Sequence, residues 1–316
     1  MFMDILNLIE SRNDFSFFSK NGKFPNSILL ISKDNFYSLE FAKVLASFIV
    51  DGKVDKNSEN YKKIMLQSHP DVKYYPSKEK LLVADSEEIV SESFVKPIFA
   101  NKKVFIIKNI DNSMESAQNK LLKTLEEPSA EVYLILTCAN QELVLPTIKS
   151  RCAIRELAKI SEDQIVKFLP SSDKSTLVSK ICDGELGEAI RLSKKENLEE
   201  IVQFSLDLLI KMKSSKQVLS FSKIAQKYSD DIDLILKIMC LIIEDMINFK
   251  AGNKQIKLVM FKEQIEKASV EYSIKALCMI NRKINQLQKE IFYNVGIIVA
   301  FENFLLNILE VKYLCK

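Results

Sequence analysis

The sequence predicts an α/β module with a parallel sheet, followed by a second half built from helices alone. Three observations carry that prediction. Up to about residue 157, short apolar runs alternate with amphipathic stretches, whereas beyond it only apolar spacings of three and four residues persist. The third is that 316 residues contain just 6 glycines and 7 prolines. Alternation of this kind implies strands joined by helical crossovers, and the scarcity of helix-breaking residues implies compact connections. At ~150 residues per domain, the length suggests two domains, or three if one is small.

Taken in order, Ser27 to Ser32 (SILLIS) reads as a buried strand and Phe36 to Ile49 as a helix. Lys80 to Ala84 is a short strand candidate, followed by a helix whose start pairs Asp85 with Glu88 in a capping arrangement. Lys103 to Ile107 (KVFII) is a second buried strand. The helix after it opens at Asn112, with Glu115 three residues on, and ends at Pro128. Val132 to Thr137 and Ala153 to Leu157 complete the strands. Ser161 and Gln164 form a capping box for a short helix that Pro170 follows. The remainder shows amphipathic stripes: Leu198, Ile201, Val202, Ser205, Leu208 and Leu209, then Ile232, Ile235, Leu236 and Met239. One boundary falls near residue 158 and a softer one near 196. No internal repeat is visible.

Composition removes whole classes of function. Hydrophobic residues at 47% with charged ones at 28% exclude a disordered chain. A formal net charge of +3 is too small to make the molecule a general nucleic-acid binder, so any DNA contact is local or shared with partners. The apolar run Met239 to Met246 is interrupted by Glu244 and Asp245, and no run reaches the ~18 residues of a membrane span. The six cysteines stand singly without CxxC spacing, and no secretory leader is visible. They read as reduced cytoplasmic thiols, mostly small buried hydrophobes. His69 is the single histidine and reads as a surface or loop residue. Alone it supports neither a serine triad nor a multi-histidine metal site, and no metal is expected.

After the first strand, a nucleotide-binding fold would cradle phosphate on backbone N–H groups and a helix N-terminus. Here Ser32-Lys33-Asp34-Asn35-Phe36-Tyr37-Ser38-Leu39 occupies that place. The GxxxxGK[ST] pattern needs glycines for the curl, a lysine for the phosphates and a hydroxyl for magnesium. Ser32 and Asn35 stand in a loop without glycine, Ser38 replaces the lysine and Leu39 the hydroxyl. Phe36 and Tyr37 would crowd the cavity, and Asp34 would add negative charge beside phosphate. The KVFII strand should end in acidic residues that hold magnesium; it ends in Lys108 and Asn109, with Asp111 reading as a turn or helix-start residue. No bound cofactor is expected.

Two further stretches are distinctive. Asn119 to Pro128 (NKLLKTLEEP) is a helix with Leu121, Leu122 and Leu125 on one face. Ser150-Arg151-Cys152 follows a short connection. An arginine at a sheet edge commonly ion-pairs or snorkels. It can also offer a planar, permanent charge to a neighbour's phosphate.

At these residues the chain resembles the clamp-loader family of AAA+ proteins. Asn119 to Leu136 looks like the family's segment between the second nucleotide motif and the sensor-1 strand, and Ser150-Arg151-Cys152 is similar to its arginine-finger motif. His69-Pro70-Asp71 resembles a related element ahead of it. Gly184-Glu185-Leu186-Gly187-Glu188-Ala189 resembles the sensor-2 region, with Gly187 at its arginine position. The resemblance covers roughly residues 20 to 195. It implies a RecA-like AAA+ module over 1–158, a small helical lid over 159–196 and an all-helical collar over 197–316. It also implies a non-hydrolysing member of a heteropentameric ring, whose companions are ATPase subunits and a delta-like subunit. Through that complex the chain would serve a sliding clamp and primed DNA, with Arg151 as an arginine finger for a neighbour. Many relatives carry four zinc-binding cysteines ahead of the HPD element. The stretch from Asp51 to Gln67 has none, so zinc is not implied, and that insert is expected to be shortened or disordered.

Overall fold

The computed structural model describes residues 5–11, 24–253, 256–292 and 297–314. The chain forms two compact units. One comprises residues up to Ser175 together with Cys182–Arg191, and the other comprises Thr176–Ile181 and the chain from Leu192 onward. The 159–196 segment is thus divided between them.

The first unit is built on five parallel strands: β1 (Ser27–Ile31), β2 (Val72–Tyr75), β3 (Lys103–Ile107), β4 (Val132–Cys138) and β5 (Ala153–Glu156). Their spatial order is β2-β3-β4-β1-β5. Strands β1 and β3 are buried at every position, because helices cover both faces of the sheet and leave no polar face to alternate with the apolar one. Leu29, Ile31, Phe105, Ile107, Leu134 and Leu136 share one face. Against them pack Ile89 of α4 (Val83–Ser93) and Ala117, Leu121 and Leu125 of α5 (Glu115–Glu126). The long helix α2 (Asn35–Asp51) also packs on the sheet and ends at Gly52, whose φ of 74° is the left-handed C-cap that glycine adopts without strain. Three short helices complete this part: α1 (Ile5–Ser11), α3 (Glu59–Met65) and α6 (Pro146–Lys149). Helix α3, with Ser58 accepting from Tyr61 N, occupies part of the Asp51 to Gln67 stretch, the insert expected to be shortened or disordered.

Three local expectations are corrected. Lys80–Ala84 is not a strand, for of Leu81 and Leu82 only the former is buried, and helix begins at Val83. Asp85 therefore sits in the first turn, accepting from Leu82 N at 2.8 Å, instead of opening the helix. The edge strand is instead β2, whose Lys73 and Tyr74 are half-buried and hid its pattern. Likewise α5 starts at Glu115, because Ile110–Asn112 closes a separate 3-10 turn.

After β5, α7 (Glu162–Phe168) has the expected Ser161–Gln164 capping box. It is followed by α8 (Asp173–Ile181) and α9 (Leu186–Ser193). The second unit then contains α10 (Leu198–Ile210), α11 (Ser215–Ala225), α12 (Ile232–Lys250), α13 (Lys262–Val270), α14 (Ile274–Phe292) and α15 (Ile297–Leu314), and no strand among the described residues. Both apolar stripes read from the sequence are buried in α10 and α12. Phe204 anchors an aromatic cluster, with ring centroids 6.0 Å from Phe221 and 5.3 Å from Tyr228. Among the described residues no helix is long and apolar enough to cross a membrane.

Candidate functional site

The connection from β1 to α2 is closed by one carboxylate. Asp34 caps α2, its Oδ1 accepting from Phe36 N at 3.1 Å and Tyr37 N at 3.0 Å. Its Oδ2 accepts from Leu186 N and, at 3.2 Å, from Gly187 N at the start of α9. The first N–H groups of a helix lack partners within it and attract negative charge. Asp34 satisfies two such groups from each of two helices while remaining only 9% exposed. Ser32 Oγ accepts from Asp34 N at 3.1 Å, and Ser38 Oγ donates back to Asn35 O. Leu39 is half-buried in α2.

Beside this loop lies a cleft of about 330 Å³. It is lined by Ile31, Ser32, Asp34 and Tyr37 from the β1–α2 region, by Ala139–Glu142, and by Glu156–Ile160 with Gly184 and Glu185. Tyr37 is buried within it, whereas Phe36 is 40% exposed and does not line it. The charged lining residues are Asp34, Glu142, Glu156 and Glu185 against Lys33 and Lys159. Lys159 is already paired with Asp183 at 2.5 Å. The lining thus has a carboxylate excess, which repels polyphosphate.

The end of β3 does not enter the cleft. Lys108 N donates to Tyr75 O, and Asn109, at φ 50°, donates its N–H to Thr137 Oγ1. Asp111 lies in the 3-10 turn as expected, and its Oδ2 accepts from Ala139 N and Asn140 N. The sequence reading missed the role of Gln118, which is 1% exposed in α5. It donates to Ile110 O and Leu143 O and accepts from Leu145 N, tying α5 to the approach of the 150–152 segment. A polar residue inside the apolar stripe of α5 was the available signal.

Arg151 follows the single turn of α6 and lies outside the cleft lining. Its Nη1 donates to Thr147 O at 2.9 Å and Ser150 Oγ at 3.1 Å, and its Nη2 donates to Glu126 Oε1 at 2.5 Å. Cys152 packs against the core, and burial pushes its thiol up to about 12, so it is no nucleophile near neutral pH.

His69 lies in a loop as expected, yet is only 3% exposed. Its Nδ1 accepts from Asp71 N and its Nε2 faces Asn60 Oδ1 at 3.1 Å, with Phe99 against the ring. Burial holds its pKa below the ordinary value, although Asp71 pulls the other way. Asp71 accepts from Ile98 N, Phe99 N and Ala100 N, each at 2.7 Å. Burial alone would raise its carboxyl, but those three donors outweigh it and leave the pKa lowered. The HPD element is therefore a knot joining the entry of β2 to the 98–100 loop. Among the described residues no group of three or more His, Cys, Asp or Glu side chains is placed to hold a metal ion.

The first unit is thus an α/β module, a parallel five-stranded sheet flanked by helices, in which the β1–α2 connection is hydrogen-bonded to the start of α9. Residues 10–161 match the family described as "DNA polymerase III, delta subunit". The chain is 37% identical over 87 residues to DNA polymerase III subunit gamma of Buchnera aphidicola subsp. Acyrthosiphon pisum, covering 28% of this chain and 24% of that one. It is 26% identical over 187 residues to subunit delta' of Bacillus subtilis, covering 56% of each. It is 32% identical over 140 residues to subunit delta' of Escherichia coli, covering 41% of each. These matches span between 24% and 56% of the relatives' own lengths. Over part of its length the chain is thus similar to the delta' and gamma subunits of DNA polymerase III.

Proposed function

We propose that this chain is a non-hydrolysing subunit of the DNA polymerase III clamp loader, working in the cytoplasm to help load the sliding clamp onto primed DNA during replication. The observation that carries the non-hydrolysing reading is Asp34, an anion fixed at the α2 N-terminus where a phosphate-binding loop needs glycine backbone and a lysine. The carboxylate excess along the cleft, and the ending of β3 in Lys108 and Asn109, support it.

Arg151 is the group that acts, and it acts on a neighbour's ATP. Its place outside its own cleft and its partly exposed guanidinium support this role, since a guanidinium across an interface can stabilise charge developing on a transferring γ-phosphoryl group. Ser150 holds it by a hydrogen bond, and Cys152 anchors the next position of the chain to the core. Its partners are the ATPase subunits and a delta-like subunit of a heteropentameric ring, joined through a collar spanning 197–316. Segment 159–196 serves as the lid of the 1–158 module. Contact with clamp and primed DNA runs through the assembled complex.

The test of the non-hydrolysing reading is equilibrium binding of labelled ATP to the isolated full chain. No saturable binding at physiological ATP is expected. Tight, magnesium-dependent binding would overturn it in favour of a divergent ATPase that uses the 330 Å³ cleft.

A further inference from the structure

We propose that Asp34 is a built-in anion. Its carboxylate stands where a bound anionic ligand would bridge the N-termini of α2 and α9, and it fixes the 182–191 segment permanently against the β1–α2 connection. The inference rests on the reading that this module takes no nucleotide.

Three observations support it. The first is geometric: the two oxygens of one carboxylate divide their bonds, Oδ1 to Phe36 N and Tyr37 N, Oδ2 to Leu186 N and Gly187 N. A cap for α2 alone needs only the first pair. The second is Gly187. A Cβ there would lie 2.8 Å from Phe36 Cβ and 3.2 Å from Asp34 Oδ1, so α9 reaches the carboxylate only because this position has no side chain. Thirdly, the same segment is tied on its other side. Ile160 N donates to Gly184 O at 3.1 Å, and a Cβ on Gly184 would meet Ile160 O at 2.9 Å.

A tethered carboxylate has no dissociation step, so the arrangement of 182–191 no longer depends on ligand concentration.

The experiment is residue-resolved amide hydrogen exchange on the full chain, as wild type, Asp34→Ala and Asp34→Asn. Each is measured with and without inorganic pyrophosphate at matched ionic strength. In the wild type, exchange at Phe36, Tyr37, Leu186 and Gly187 is slow and indifferent to pyrophosphate. In Asp34→Ala all four accelerate by roughly fivefold or more, the range expected from losing a capping side chain, and pyrophosphate restores their protection saturably.

Asp34→Asn keeps an oxygen toward α2 but turns an amide donor toward α9. Leu186 and Gly187 therefore accelerate while Phe36 and Tyr37 do not, and this variant carries the test if Asp34→Ala does not fold. The proposal is overturned if Leu186 and Gly187 stay protected in either variant. It is also overturned if Asp34→Ala loosens and pyrophosphate leaves it loose, since Asp34 is then only a helix cap. Magnesium–ATP protecting the wild-type cleft would instead strike at the non-hydrolysing reading, a separate outcome.

Discussion

Arg151 and Glu126 form an ion pair, with Nη2 2.5 Å from Oε1, that joins the segment after α6 to the last residue of α5. Glu126 sits at the negative end of the helix dipole, where a carboxylate is unfavourable and gains from a nearby cation. Thr147 O and Ser150 Oγ hold the opposite edge of the guanidinium. The isolated chain thus presents Arg151 in a defined orientation, secured by contacts that solvent can reach.

The first prediction concerns the strength of that hold. The side chains are 32% and 48% exposed, a setting in which an ion pair is worth less than about 1 kcal/mol. Glu126→Gln should shift the urea midpoint of the chain only slightly. A loss above about 2 kcal/mol, beyond what an exposed pair supplies, would show the pair to be structural.

Gly187→Ala should destabilise the chain by about 1–3 kcal/mol, as overpacking does, because the new methyl meets Phe36 Cβ at 2.8 Å. Thermal denaturation checks this, and an unchanged Tm would mean that α9 does not approach α2 so closely. Adding bulk at this position, as an arginine does, is expected to cost more.

Asp71→Ala leaves the amides of Ile98, Phe99 and Ala100 without their acceptor. The expected cost is at least about 2 kcal/mol, from three N–H donors that lose a charged and fully buried acceptor. Chemical denaturation measures it directly. Accelerated proteolysis at 96–101 should accompany the loss.

A pH dependence follows from His69. Burial lowers its pKa from the ordinary 6.5, so near that pH the unfolded chain binds a proton that the folded chain does not. Its contribution to stability is fully present above about 6.5 and is lost as pH falls through that value toward the lower folded pKa. Urea midpoints between pH 7.5 and pH 5, in the ~1-unit windows where His titrates, should fall for the wild type and fall less for His69→Gln. Parallel curves would place the proton uptake elsewhere.

The strands β1, β3 and β4 were legible because burial on both faces leaves unbroken apolar runs. The Ser161–Gln164 box was legible because its chemistry is local. β2 was not, since an edge strand with Lys73 and Tyr74 half-buried carries no such run, while Leu81-Leu82-Val83 imitated one at a helix start. At the site, the sequence placed a negative charge at Asp34 but gave no sign that Leu186 and Gly187 share it, because that contact spans more than 150 positions. The burial of His69 was hidden because Asn60 and Phe99, which enclose it, come from other segments and follow no local periodicity. The pairing of Arg151 with Glu126 emerges only from the fold.

The most direct measurement is ATP hydrolysis by the reconstituted clamp loader carrying Arg151→Ala in this chain. The account predicts that the variant folds and assembles normally while hydrolysis at the adjoining subunit falls by roughly a thousandfold or more, the scale of an arginine finger. Wild-type hydrolysis at every site of that assembled ring would contradict it.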